Sequence, residues 1–90
     1  MERATSADEP TVTVFWRPGC FFCHRLLGDL DEIGITPVLR NIWEDPDAAA
    51  FVRSVARGNE TVPTVTVGDT VLVNPRARDV VAASDREAAA

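Results

Sequence analysis

The sequence predicts a single α/β domain with element order β-α-β-α-β-β-α and a four-stranded mixed sheet flanked by helices. Three observations carry this. Twice, a short strand-like run is followed by apolar residues at spacings of three and four, the change from strand to helix period. Two short apolar runs flank Gly68-Asp69, a two-residue connection of the kind that closes hairpins. Ninety residues are enough for one core and too few for two.

Residues 11–15 (TVTVF) read as the first strand, which Pro18-Gly19 interrupts. From Cys20 the period becomes helical through Phe22, Leu26, Leu27, Leu30 and Ile33, and Gly34 supplies the stop. Gly28 inside this helix costs about 1 kcal/mol against Ala. Residues 37–42 (PVLRNI) form the second strand. Asp45-Pro46 then opens a helix with an acidic N-cap and Pro in the first helical position. Its stripe is Ala48, Phe51, Val52 and Val55, and Gly58 ends it. Residues 64–67 and 70–73 form the hairpin. Asn74-Pro75 repeats the cap signal before a last helix carrying Ala77, Val80 and Val81. The first strand-helix-strand unit requires parallel strands and the hairpin antiparallel ones. Helices on both sheet faces account for the nearly continuous apolar strands.

Composition narrows the function. With 46% hydrophobic and 26% charged residues, the chain is not disordered throughout, and no apolar run approaches the ~18 residues of a membrane span. A net charge of -5 argues against nucleic acid as partner, because phosphate affinity comes from clustered cations. Residues 1–10 (MERATSADEP) read as a disordered acidic arm ahead of one domain over residues 11–90. They lack the basic start and apolar stretch of a secretory signal, so a cytoplasmic location is expected. The domain is expected to be a monomer.

The two cysteines, Cys20 and Cys23, close too short a loop to staple the fold, which leaves chemistry. They sit where a strand gives way to a helix. A thiolate there meets free backbone N–H groups and the positive end of the helix dipole. Cys20, at the terminus and the more exposed, is expected to be the nucleophile; Cys23, one turn in, the resolving thiol. Arg17 adds positive charge. With no Lys in the chain, any charge tuning Cys20 comes from Arg17, His24 or the helix. Cys-x-x-Cys in this context is a redox motif. A zinc site would need two more ligands, and His24 is the one His. Cys20-Phe21-Phe22-Cys23-His24 also fits covalent haem attachment, though no internal Met offers an axial ligand. Two inert buried cysteines are the bland alternative. Of Phe21 and Phe22, one is expected on the buried face with Leu26 and the other exposed as a docking surface. Trp16 is expected to pack under the loop and His24 to face solvent. Thr61-Val62-Pro63 precedes the third strand; a cis Val62-Pro63 bond would leave Val62's backbone free to pair with an extended substrate segment.

Together, residues 12–15, Cys20-Phe21-Phe22-Cys23 and Thr61-Val62-Pro63-Thr64-Val65 resemble the thioredoxin superfamily, and within it the glutaredoxins, over residues 11–83. Residues 50–59 (AFVRSVARGN), leading into Thr61-Val62-Pro63, and Leu72-Val73-Asn74-Pro75 are similar to the mycoredoxins, which pair with mycothiol. Asn74-Pro75 stands where glutathione-binding members carry a Gly-rich turn. The chain departs from the mycoredoxin motif Trp-Cys-Gly-Tyr-Cys: Gly19 precedes Cys20, and two Phe lie between the thiols. The resemblance implies a thiol-disulfide oxidoreductase acting on thiolated proteins. Cys20 and Cys23 would be catalytic, and Thr61, Val62 and Pro63 would lie opposite them against substrate; Phe21, Phe22 and Arg17, which depart from the family motif or lie beside it, are expected on their own chemistry to contact substrate too. It implies no bound cofactor, with mycothiol (or glutathione) as reducing co-substrate. Alternatives are an electron donor to ribonucleotide reductase fed by thioredoxin reductase, and an iron-sulfur carrier.

Overall fold

A computed structural model describes residues 10–89; apart from Pro10, the arm expected over residues 1–10 lies outside them. The elements are β1 (Val12–Trp16), α1 (Phe21–Glu32), β2 (Val38–Asn41), α2 (Pro46–Val55), β3 (Thr64–Val67), β4 (Thr70–Val73) and α3 (Ala77–Ala89). The strands form one sheet in the order β2-β1-β3-β4. β1 runs parallel to β2, with Val14 opposite Leu39, and antiparallel to β3, with Val14 opposite Val65. β3 and β4 close the hairpin. The predicted class and element order hold; β1 starts one residue late and β2 is trimmed at both ends.

Period-two alternation divides β1 between two cores. Val12 and Val14 join Leu26, Leu30, Val65, Val67, Val80 and Ala83, so α1 and α3 cover one face. Phe15 joins Ile42, Ala48, Ala49 and Val52 under α2 on the other. The edge strands depart from expectation. Val38 and Leu39 on β2, and Val71 and Val73 on β4, are exposed. Three helices cover the two central strands and leave the outer ones partly bare, so the apolar runs there are not buried on both faces.

The ends of α1 follow from local chemistry. Ile33 is the C-cap, Gly34 turns left-handed at φ +85°, and the Ile35 N–H reaches back to the Leu30 carbonyl at 2.9 Å. Ile35 then packs on the core that contains Leu30. Gly28 is helical and exposed, and a methyl group there would meet no atom within 4 Å. Gly28→Ala is therefore expected to stabilise the fold by about 1 kcal/mol, read as a rise in Tm of about 4–8 °C. An unchanged or lower Tm in a thermal melt would contradict this.

Asp45 caps α2 as predicted. Its Oδ1 accepts from the Ala48 N–H at 3.1 Å, and Arg40 donates to Oδ2 through Nη2 at 2.7 Å and Nε at 3.1 Å. The Arg40 guanidinium first, and the Ala48 N–H second, hold this carboxyl below its ordinary value of 3.8. The stabilisation it brings is complete above that value and is lost as pH falls through the lower folded-state one. Asp45→Asn keeps an acceptor but cannot titrate. Its stability is expected to change less than wild type between pH 5 and pH 2 in denaturant melts; parallel curves would exclude this role.

The start of α3 corrects the sequence reading. Asn74-Pro75 does not cap the helix, which begins at Ala77. Asn74 is left-handed (φ +55°) and donates its N–H to the Pro63 carbonyl at 2.8 Å. The first turn is secured by Asp79, whose Oδ2 accepts from the Arg76 N–H at 2.9 Å. Asn tolerates a left-handed backbone better than most residues, and here that turn links α3 to β3 instead of opening the helix.

Candidate active site

The chain leaves β1 at Trp16, crosses Arg17-Pro18-Gly19 and enters α1 at Cys20. Gly19, at φ +75°, makes the turn that a side chain would resist. Cys20 is the N-cap residue, in extended conformation, and its Sγ accepts the Cys23 N–H at 3.2 Å. A sulfur thus fills the role that Ser or Asp usually plays at a helix start. On its other side Cys20 Sγ donates to the Val62 carbonyl at 3.8 Å. The Val62-Pro63 peptide is cis. Among the described residues, none accepts from the Val62 N–H.

Residues 61–63 are held from two sides. The buried Thr64 hydroxyl donates to the Thr61 carbonyl at 2.7 Å, and Asn74 holds the Pro63 carbonyl. Cys20, Val62 and Pro63 therefore meet at one end of the sheet.

Both cysteines are free thiols; Cys20 is 5% exposed and Cys23 fully buried. The predicted order of exposure holds, but Cys20 shows only a sliver of its surface. Cys23 is pushed from an ordinary 9.0 up to about 12, chiefly by burial, then by the hydrogen bond with Cys20 and by Cys20's charge; the Arg17 backbone works in the opposite direction. At neutral pH Cys23 is a thiol.

The surrounding residues divide. Arg17 does not aim its charge at the thiols. Its guanidinium lies 5.7 Å from the Trp43 ring centre and donates to the Pro18 carbonyl at 3.1 Å. Its Coulombic effect on Cys23 is the weakest of those acting there. Phe21 and Phe22 are both exposed, which corrects the expectation that one would be buried with Leu26. Cys23, Leu26 and Leu30 take the inward positions of α1, and Phe22 lies about 100° round the helix from Cys23. The two rings meet edge to face at 5.7 Å, and Arg25 lies 5.8 Å from one and 5.4 Å from the other. Trp16 packs partly on the core, its ring 6.5 Å from that of exposed His24.

The glutaredoxin family model matches residues 12–72. This chain belongs to the glutaredoxin family. Among curated proteins, Mycoredoxin 1 of Corynebacterium glutamicum is 39% identical over 72 residues, covering 79% of this chain and 89% of that protein. Putative glutaredoxin-C12 of Arabidopsis thaliana is 31% identical over 72 residues, covering 76% of this chain and 70% of that one. Among solved structures, the holo form of glutaredoxin C1 from Populus tremula x tremuloides superposes with a TM-score of 0.59 at 26% identity, over 83% of this chain and 74% of its own. Glutaredoxin from Brucella melitensis matches in fold, with a TM-score of 0.64 at 22% identity over 91% of this chain and 86% of its own. This glutaredoxin is thus a thiol-disulfide oxidoreductase, close to the mycoredoxins, that uses a thiol co-substrate.

Sequence reasoning passed over two features of this glutaredoxin. Trp43 is exposed beside Arg17, and Asn74 braces Pro63. A signal existed for the first. Arg17 and Trp43 each follow a strand, the strands are parallel neighbours, and ligands favour the carboxyl ends of such strands. No described helix is long and apolar enough to cross a membrane.

Proposed function

We propose that the chain reduces mixed disulfides between proteins and mycothiol, with Cys20 as nucleophile and Cys23 as resolving thiol. The observation that carries the reading is the position of Cys20 Sγ between the Cys23 N–H and the Val62 carbonyl. The N–H supports negative charge on the sulfur, and the Val62 segment offers an edge for an extended substrate. The Cys20 thiolate attacks the mycothiol sulfur of the mixed disulfide. The S–S bond breaks, the protein leaves as thiolate, and mycothiol stays on Cys20. A second mycothiol thiolate attacks the mycothiol sulfur of this adduct, which frees Cys20 and forms the mycothiol disulfide. Cys23, a thiol at neutral pH, leaves time for this route. With a protein disulfide it closes the Cys20–Cys23 bridge instead.

Mycothiol is preferred to glutathione because of the turn before α3. The Asn74 N–H is committed to Pro63, Pro75 has no N–H, and the Arg76 N–H is committed to Asp79. Residues 74–76 thus offer a ligand carboxylate no free N–H, and the donors left at this end are those of Ala77 and Arg78 in the first turn of α3. The likeness to Mycoredoxin 1 supports the same preference. On this reading residues 11–90 act as one monomeric domain in a reducing cytoplasm, with Phe21, Phe22 and the Thr61-Val62-Pro63 segment against the protein substrate. The test presents one peptide as its mycothiol and its glutathione mixed disulfide, and also assays NADPH with thioredoxin reductase and no small thiol. Faster turnover with glutathione, or full turnover with the reductase alone, overturns the preference.

A further inference from the structure

Trp43 is 63% exposed and has no packing role in either core. Exposing an indole sacrifices a large apolar contact area, and this one is held in a fixed place. The Ile42 N–H bonds the Trp16 carbonyl at 2.9 Å, extending the β1–β2 ladder one residue beyond β2. The Trp43 N–H bonds Asn41 Oδ1 at 2.9 Å. The Arg17 guanidinium lies over the ring and is itself pinned to the Pro18 carbonyl, in the loop that ends at Cys20. Arg17 makes no ion pair among the described residues. The result is an exposed indole with a guanidinium over its ring, just past the carboxyl ends of β1 and β2 and tied through Arg17 to the loop that leads to Cys20.

That pairing has a chemical complement. A sugar or cyclitol ring presents a face of polarised C–H bonds and a rim of hydroxyl groups. The C–H face rests on an aromatic ring, and the rim takes donors from a guanidinium. Glutathione has no such ring; mycothiol carries its thiol on linked sugar and inositol rings. Resting on the reading above, we propose that Trp43, together with the Arg17 guanidinium over its ring, is the platform for the polyol rings of the mycothiol portion, and so a specificity-determining residue.

The test uses the full chain and one peptide, its cysteine disulfide-bonded either to mycothiol or to free cysteine. In Trp43→Ala the ratio of kcat/KM for the mycothiol form to that for the cysteine form is expected to fall about tenfold, through KM. Trp43→Phe, which keeps an aromatic face, is expected to recover most of it. An unchanged ratio in Trp43→Ala, with a wild type active on mycothiol, overturns the platform alone. An equal loss on both forms also overturns it, and marks Trp43 as a contact for the peptide. A wild type indifferent to mycothiol overturns the parent reading and the platform together. Far-ultraviolet circular dichroism checks that the variants are folded.

Discussion

Cys20→Ser is expected to abolish reduction of mixed disulfides, by at least about 1000-fold, while Cys23→Ser keeps the reaction with a small thiol. A serine hydroxyl at neutral pH is not an attacking anion. Cys23 cannot stand in, because it is fully buried and sits near 12, mainly through that burial. Removing the Cys20 sulfur lifts only the lesser influences on it. Cys23→Ser leaves the Cys20 sulfur its helix-start N–H, which comes from the backbone. It removes closure of the internal bridge, so reduction of protein disulfides falls while turnover with a second small thiol persists. Stopped-time assays of mycothiol release separate the two. Residual activity in Cys20→Ser above a tenth of wild type would sink the assignment.

The largest effect on stability is expected from Leu30→Ala. Leu30 is fully buried and packs among Val14, Val65 and Val80, where the sheet meets both α1 and α3. Truncation removes apolar contact and leaves a cavity that rigid strand and helix backbones cannot fill. The cost is about 3 kcal/mol, a Tm lower by about 12–24 °C. Ile33→Ala serves as the control, since Ile33 is half-exposed past the end of α1 and should change little. Comparable losses in the two variants would mean that the core is not centred on Leu30.

Most of the fold was legible because it rests on local signals. The capping Asp45-Pro46, the Gly34 stop and the Gly68-Asp69 hairpin are fixed by backbone chemistry within a few residues. The cysteine pair was legible for the same reason, since Cys20 caps its own helix. What stayed hidden depends on pairs distant in sequence. Asn74-Pro75 looks like a helix cap in isolation, and only the nearby Pro63 carbonyl draws the Asn74 N–H away. Phe22 fits the apolar period of α1, but Cys23 takes the inward position in the first turn. Arg17 looked like a partner for the thiols until β2 brought Trp43 alongside. Exposure on β2 and β4 follows from strand order, which no single strand encodes.

The narrow opening over Cys20, 5% exposed, makes the site a sieve as well as a reactor. A slim sulfur on a flexible arm can reach it end on; a broad, rigid electrophile meets the loop and the Val62 backbone first. Selectivity then begins with shape, before any affinity is expressed. The same cover shields the sulfur from over-oxidation in bulk solvent, leaving disulfide exchange as its easiest chemistry.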